Sequence, residues 1–280
     1  MIELLPSTGA FIGRVNGRDP NAFLRVAGLL DAHAYEFMMY ETFYDRVDPI
    51  VDDYLATGFS FPVFHAEKRI GELIGLGGKE ELSEALRRFS VNCRAACRLG
   101  ARKLVLHLWN GVVSDHYFEH QAVIYPRLLA EAREHGLLLT VENVVCAVGD
   151  PLSRFYELLA IDPTSAFTYD TKMAAHHCQE YEIFSPSHCA LFGEDARIQH
   201  VHFNDYGGVP GDFSGLATLH LGEGHLDLAR IARELLAVGY RGTVTLECGC
   251  MRPDGSLCPE KMNSSLKTAR SLFAPVVGKE

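Results

Sequence analysis

LLLTVE at 137–142, AFTYD at 166–170, HVH at 200–202 and TVTLE at 243–247 are four short strand-like runs, each closed by a polar group at its C-terminal end. The closing residues are Glu142, Asp170, His202 and Glu247, and they recur at roughly the period of one strand–helix unit. Side chains alternate faces along a strand, so residues two apart share a face. Leu138, Thr140 and Glu142 therefore oppose Leu139 and Val141. Ala166, Thr168 and Asp170 oppose Phe167 and Tyr169. His200 and His202 oppose Val201 and Phe203, and Thr243, Thr245 and Glu247 oppose Val244 and Leu246. The bulky face suits packing against helices, and the smaller, polar face suits a barrel axis. Four parallel strands built this way bring three carboxylates and an imidazole to one point. Such a group is self-repelling unless something positive sits within it. A divalent cation is the simplest answer, and a carboxylate-rich site with one imidazole suits Mn²⁺ or Mg²⁺, with Co²⁺, Zn²⁺ and Fe²⁺ as alternatives.

The same alternation runs through the whole chain. Strand-like segments lie near 2–5, 34–40, 61–65, 103–107, 138–142, 166–170, 199–203 and 243–247, with amphipathic segments between them. Asp19-Pro20 has the form of a helix start, predicting a helix to about Leu30. A long helix is expected from Lys79 to the stop at Gly100, and another around HYFEHQAVIYPRLLAEAREHG, kinked by Pro126 or begun near it. His225 is the expected start of the last-but-one helix, with Asp227 as a second candidate cap. Eight strands with eight connections predict a single (β/α)8 TIM barrel covering 1–280. An open doubly wound sheet is the alternative, against which stands the lack of a Gly-rich phosphate loop after the first strand. The stretch 204–224, NDYGGVPGDFSGLATLHLGEG, is too long for an ordinary connection and is expected to belong to the site.

Length and composition agree with this reading. The chain has 280 residues, of which 48% are hydrophobic, and a barrel of this type needs about 250. There is no apolar run of about 18 residues to span a membrane and no basic-then-apolar leader, so a cytoplasmic protein is expected. The eight Cys have no regular spacing, which fits buried thiols in a reducing compartment. A formal net charge of −10 disfavours nucleic acid as a partner. The oligomeric state is left open, a homo-oligomer being compatible with everything above.

Two further histidines close strands in the same manner, His65 after FPVF and His107 after KLVL, and Trp109 and Asn110 follow in the next loop. These four are candidate substrate contacts, each also readable as ordinary packing. Taken together, VEN at 141–143, FTYDT at 167–171, HVHFND at 200–205, LGEGHLD at 221–227 and VTLE at 244–247 resemble, in order, the signature segments of the xylose isomerase-like barrel superfamily, in its sugar phosphate isomerase/epimerase branch. The resemblance implies that Glu142, Asp170, His202 and Glu247 bind one divalent metal and that the two glutamates form the acid/base pair. The related apurinic-site endonucleases hold three metals with extra ligands. This chain has Met173 where they have a histidine, and it lacks their Asp-x-His before GEG. Many ketose epimerases also use a histidine at the Met173 position to touch substrate, so Met173 is a further candidate substrate contact.

The expected activity is therefore a metal-dependent isomerisation or epimerisation of a small sugar or keto-polyol. One glutamate removes the proton alpha to a carbonyl, the metal stabilises the enediolate, and the other glutamate returns a proton. A dehydratase or lyase would begin with the same step. An endonuclease-like phosphodiesterase and a non-catalytic metal- or sugar-binding barrel are the remaining alternatives.

Overall fold

The computed structural model describes residues 2–192 and 195–274. Its strands are β1 (Glu3–Pro6), β2 (Ala34–Met38), β3 (Ser60–His65), β4 (Lys103–Leu106), β5 (Leu138–Glu142), β6 (Ala166–Asp170), β7 (Ile198–His202) and β8 (Thr243–Leu246). All pair in parallel in one eight-stranded sheet of order β1-β8-β7-β6-β5-β4-β3-β2. The remaining seam lies between β1 and β2. It is bridged where Ser7 pairs with Glu36 and where the Met38 N–H donates to Thr8 Oγ1 at 2.9 Å. The result is a nearly closed (β/α)8 TIM barrel.

The helices are α1 (Asn21–Leu24), α2 (Val47–Leu55), α3 (Arg69–Leu76), α4 (Lys79–Arg98), α5 (Phe118–Glu134), α6 (Pro151–Ile161), α7 (Thr171–His176), α8 (Leu228–Ala237) and α9 (Pro259–Leu272). Outward residues such as Phe37, Phe64, Leu104, Val141, Phe167 and Val244 join the helices in one large core. Inside the barrel, Leu5, Val63 and Val105 form a separate small apolar cluster. The rest of the axis is polar: Thr140 and Thr168 share a hydrogen bond of 2.8 Å, and Glu36, His200 and Thr245 are buried beside them. Bulk outward and small or polar inward is the division that the strand alternation predicts. None of the described helices is long and apolar enough to cross a membrane.

Two local expectations need correction, and at Pro126 the structure decides between the two alternatives. The helix predicted from Asp19 to Leu30 is broken into α1 and a 3-10 turn at Ala27–Leu29. Asp19 does cap it, accepting from Asn21 N–H. At Val26, however, the backbone leaves helical geometry and its N–H closes a tighter turn on the Phe23 carbonyl, while further on the buried Tyr35 hydroxyl donates to the carbonyls of Ala27 and Ala32. Pro126 lies well inside α5, eight residues past its start rather than in its first turn. The cap of α8 is Asp227, which accepts from Arg230 N–H at 2.8 Å, and not His225.

Candidate active site

Parallel strands place their last residues on one rim, and at this rim the four polar strand-end residues meet. Glu142 ends β5, and its Oε2 accepts from His107 Nε2 at 2.9 Å. Asp170 ends β6 and also caps α7, with Oδ1 accepting from the Met173 N–H at 2.8 Å. Its other oxygen, Oδ2, accepts from Asn204 Nδ2 at 3.0 Å. Glu247 follows β8, and its Oε2 accepts from the same Asn204 amide at 3.0 Å. His202 ends β7 and points Nδ1 at all three carboxylates, 3.4 Å from Glu142, 3.9 Å from Asp170 and 3.4 Å from Glu247. That nitrogen is buried and has no hydrogen-bond partner.

Two asparagines fix these strand ends against one another. Asn143 accepts from the Asp170 N–H at 2.6 Å and donates to the Asp170 carbonyl at 3.0 Å, tying β5 to β6. Asn204 accepts from the Glu247 N–H at 3.1 Å while its amide holds Asp170 and Glu247 together. The long segment after β7 is gathered by Asp205, which accepts from the N–H groups of Gly222, Gly224 and Leu226. Its Thr218 reaches the cavity and accepts from Lys172 Nζ at 3.0 Å.

Beneath the rim lies a residue that the sequence reading did not single out. Glu36, buried in mid-β2, accepts from His200 Nε2 at 2.8 Å and from His202 Nε2 at 3.3 Å. His200 Nδ1 meets Thr243 Oγ1 at 2.7 Å, and Lys103 Nζ donates to the same hydroxyl at 3.0 Å. An ammonium only donates, so the Thr243 proton is free to go to His200 Nδ1. His200 then carries its proton on Nε2 and gives it to Glu36. His202 likewise donates from Nε2, which leaves Nδ1 facing the carboxylates. The signal available in sequence was a single acid inside the apolar run AYEFM, on the inward face with Ala34 and Met38.

Electrostatics follow from burial and pairing. Burial pushes the Glu142 carboxyl up, but His107 and His202 outweigh it and hold the group well below the usual carboxylate range. Glu247 is also held low, burial being outweighed chiefly by His202. Asp170 lies farther from His202 than the two glutamates do; burial, with Glu142 and Glu247 nearby, raises it to about 6 despite Lys172 and His202. Burial disfavours the charged form of His202, yet Glu247, Glu36 and Glu142 together push it well above its ordinary value. Burial takes His107 down to about 4.

A cavity of about 130 Å³ opens onto Glu142 and Glu247, with Met38, Tyr40, Lys68 and Met173 in its walls. Met173 thus lines the cavity beside the two glutamates. His65 and His107 instead stand behind Glu142, His65 Nε2 being 3.4 Å from its Oε2. Asn110 lies a layer further back, its Oδ1 3.0 Å from His107 Nδ1. Trp109 is 0% exposed, donates to the Val144 carbonyl at 2.7 Å and packs edge-on against Phe118, so its ring is not part of the cavity wall.

Comparison with known proteins places this geometry. Residues 19–270 match the sequence model of a family described as xylose isomerase-like TIM barrel. Comparison with curated proteins gives no match. Among solved structures, a xylose isomerase domain protein from Alicyclobacillus acidocaldarius superposes with a TM-score of 0.69 at 18% identity, covering 97% of this chain and 98% of that one. The D-psicose 3-epimerase of Clostridium cellulolyticum H10, solved with D-tagatose, gives 0.68 at 10% identity over 97% and 99%. A 3-keto-D-glucoside 4-epimerase from E. coli gives 0.66 at 15% identity over 97% and 100%. At these identities the likeness is one of fold.

Proposed function

The chain belongs to the xylose isomerase-like TIM-barrel family, and from that premise we propose that it is a divalent-metal-dependent isomerase or epimerase of a small sugar or keto-polyol. The observation that carries this reading is the unpartnered, buried His202 Nδ1 facing oxygens of Glu142, Asp170 and Glu247. A buried imidazole nitrogen without a hydrogen-bond partner among three carboxylates is a poor arrangement for a protein alone and, once its proton is displaced, a good one for a hard or borderline cation. Glu142, Asp170 and His202 offer atoms all within 4.8 Å of one another. Glu142, Asp170, His202 and Glu247 would hold the ion, Mn²⁺ or Mg²⁺ suiting this donor set best. When bound, the cation supplies positive charge for the substrate's carbonyl and neighbouring hydroxyl oxygens as negative charge develops there.

The chain's own groups do the rest. Glu142 and Glu247 are both held in the ionised form, so either is ready to act as a base. One takes the proton from the carbon alpha to the carbonyl, and the C–H electron pair moves into a carbon–carbon double bond as the carbonyl oxygen gains charge. The other glutamate, after taking up a proton from solvent, returns it to carbon. Delivery to the opposite face of the same carbon inverts it, and delivery to the neighbouring carbon moves the carbonyl. Exchange with solvent then resets both carboxyls. His107 and His65 steady Glu142 from behind, and Asn204 steadies Glu247. The three structural relatives named as sugar isomerase-like proteins or epimerases fit this reading.

The test is a screen of ketoses in D₂O with metal-loaded protein, read by NMR for deuterium at the carbon next to the carbonyl. Uptake with conversion to an epimer or isomer is expected for at least one ketose. Metal-loaded, folded protein that exchanges no ketose would sink the reading.

A further inference from the structure

Around the mouth of the cavity, positive charges stand without the carboxylate partners that their neighbours have. Arg69 pairs with Glu41, and Arg88 pairs with both Glu41 and Glu67. Lys68, Lys172 and Arg18 have no carboxylate partner among the described residues. Lys172 is the most telling, since it is only 6% exposed and its ammonium reaches a single acceptor, the Thr218 hydroxyl at 3.0 Å. A buried ammonium with two unused donors is costly unless something accepts from them. Lys172 and Lys68 line the same cavity as Glu142 and Glu247. Lys68, Tyr40 and Met38 also line an adjoining cavity of about 240 Å³, together with Arg18 and with Arg69, Glu41 and Glu67, whose charges pair with one another or with Arg88. Arg18 is held at a φ of 55°, in the left-handed region that side chains rarely occupy, with its guanidinium 5.6 Å from the Tyr40 ring centre. Strain of this kind persists where the surroundings impose it, commonly at ligand sites.

We infer that the substrate carries an anionic group, a carboxylate or a phosphate, held by Lys68 and Lys172 in the cavity that Glu142 and Glu247 also line. The inference rests on the sugar-isomerase reading for the placement of the carbonyl, and it adds the substrate's class. A chain with a formal net charge of −10 offers an anion little general attraction, so the attraction is local. Ammonium donors give a charge-assisted bond to either anion. Met38 and Met173 present only weakly accepting thioether walls beside them. Arg18, further along, would meet the outer oxygens of the larger anion.

The experiment uses ligands that need no turnover. D-arabinitol, D-arabinonate and D-arabinitol 5-phosphate are titrated calorimetrically into the metal-loaded full chain and into its K68M and K172M variants. At least one of the two anions is expected to bind about tenfold or more tightly than the neutral polyol, the gain that one good charge-assisted bond supplies. Which anion does so separates carboxylate from phosphate. The gap is expected to shrink severalfold in each variant and to be kept in K172R. Equal affinity for all three ligands, or no binding by any, overturns the inference. So does a gap that survives in either folded variant, because an anion that merely chelates the metal would behave that way. Lys68 is exposed, so K68M decides the matter if K172M does not fold. Tight anion binding without deuterium exchange into any ketose would remove the isomerase reading and leave the anion site standing.

Discussion

Glu36 Oε2 lies 3.3 Å from His202 Nε2 and accepts its hydrogen bond, so the other imidazole nitrogen, Nδ1, is turned toward the carboxylates. A carboxylate behind a histidine fixes both its tautomer and its orientation. Glu36→Gln can still accept from one histidine but loses the charge that both share. In metal-free protein titrated calorimetrically with Mn²⁺, this substitution is expected to weaken binding by about 10- to 100-fold, the usual effect of removing such a support. An unchanged affinity would mean that Glu36 serves only the interior packing of the barrel.

Stoichiometry is a separate matter. His65, His107 and Glu142 also form a group whose atoms lie within 4.8 Å of one another. Its space is already spanned by the His107 to Glu142 hydrogen bond of 2.9 Å. One tightly held ion per chain is expected from elemental analysis after gel filtration. Two would rule out a single-metal mechanism, with this histidine pair among the places where a second ion could sit.

The sequence and the structure agree where the physics is local. Glu142, Asp170, His202 and Glu247 were legible because each closes a strand, and the rim of a parallel barrel gathers strand ends whatever the intervening helices do. Glu36 was not legible as part of the site. Its strand was read, but its partner His200 is 164 residues away, and one sequence holds no record of that pairing. Trp109 carried a plausible role as a stacking wall, yet whether an aromatic ring in a loop faces a cavity or the protein depends on tertiary contacts such as the Val144 carbonyl. The break after Leu24, where the Val26 N–H closes a tighter turn on the Phe23 carbonyl, was likewise not written in the local pattern of caps and apolar residues.

The loop after β5 hangs on one buried ion pair. Asp115 accepts from the N–H groups of Ala147, Val148 and Gly149 and from Arg154 Nη2 at 2.8 Å. Burial alone would raise its carboxyl, but Arg154 and these three N–H groups hold it well below the usual range. A carboxyl lowered in the folded state stabilises above its unfolded value of about 3.9 and loses that contribution as the pH falls toward its folded value. Asp115→Asn is expected to destabilise the protein at pH 7 by about 3–5 kcal/mol, as for other broken buried pairs. The difference in melting temperature between wild type and variant should narrow below about pH 4. A difference that is the same at pH 3 and pH 7 would show that the charge is not what stabilises the loop.

Met173 faces the cavity with a thioether where a ring nitrogen would offer a stronger bond. Met173→His is expected to move kcat/KM among ketoses by about tenfold or more, the scale of a gained or lost polar contact. An identical profile across the ketose panel would mean that substrate does not reach this residue.

The division of labour between Glu142 and Glu247 gives the most direct test. Both place an oxygen 3.4 Å from His202 Nδ1, but they come from strands on different sides of the rim, β5 and the end of β8. A carbon held between them is open to each from a different face. Glu→Gln preserves size and removes the base, so each substitution is expected to lower turnover by at least about 10²-fold, within the usual range for a positioned acid or base. Some of that loss can come from weaker metal binding, so occupancy is measured on the same samples. Deuterium exchange then separates the roles. If one glutamate abstracts and the other redonates, one variant will still wash the alpha proton of the ketose into D₂O without forming product, and the other will do neither. The variant that retains exchange identifies the donor, and its partner is the base. Near-normal turnover by both variants with metal bound would show that neither carboxylate moves the proton, and the catalytic role of this rim would pass to other groups.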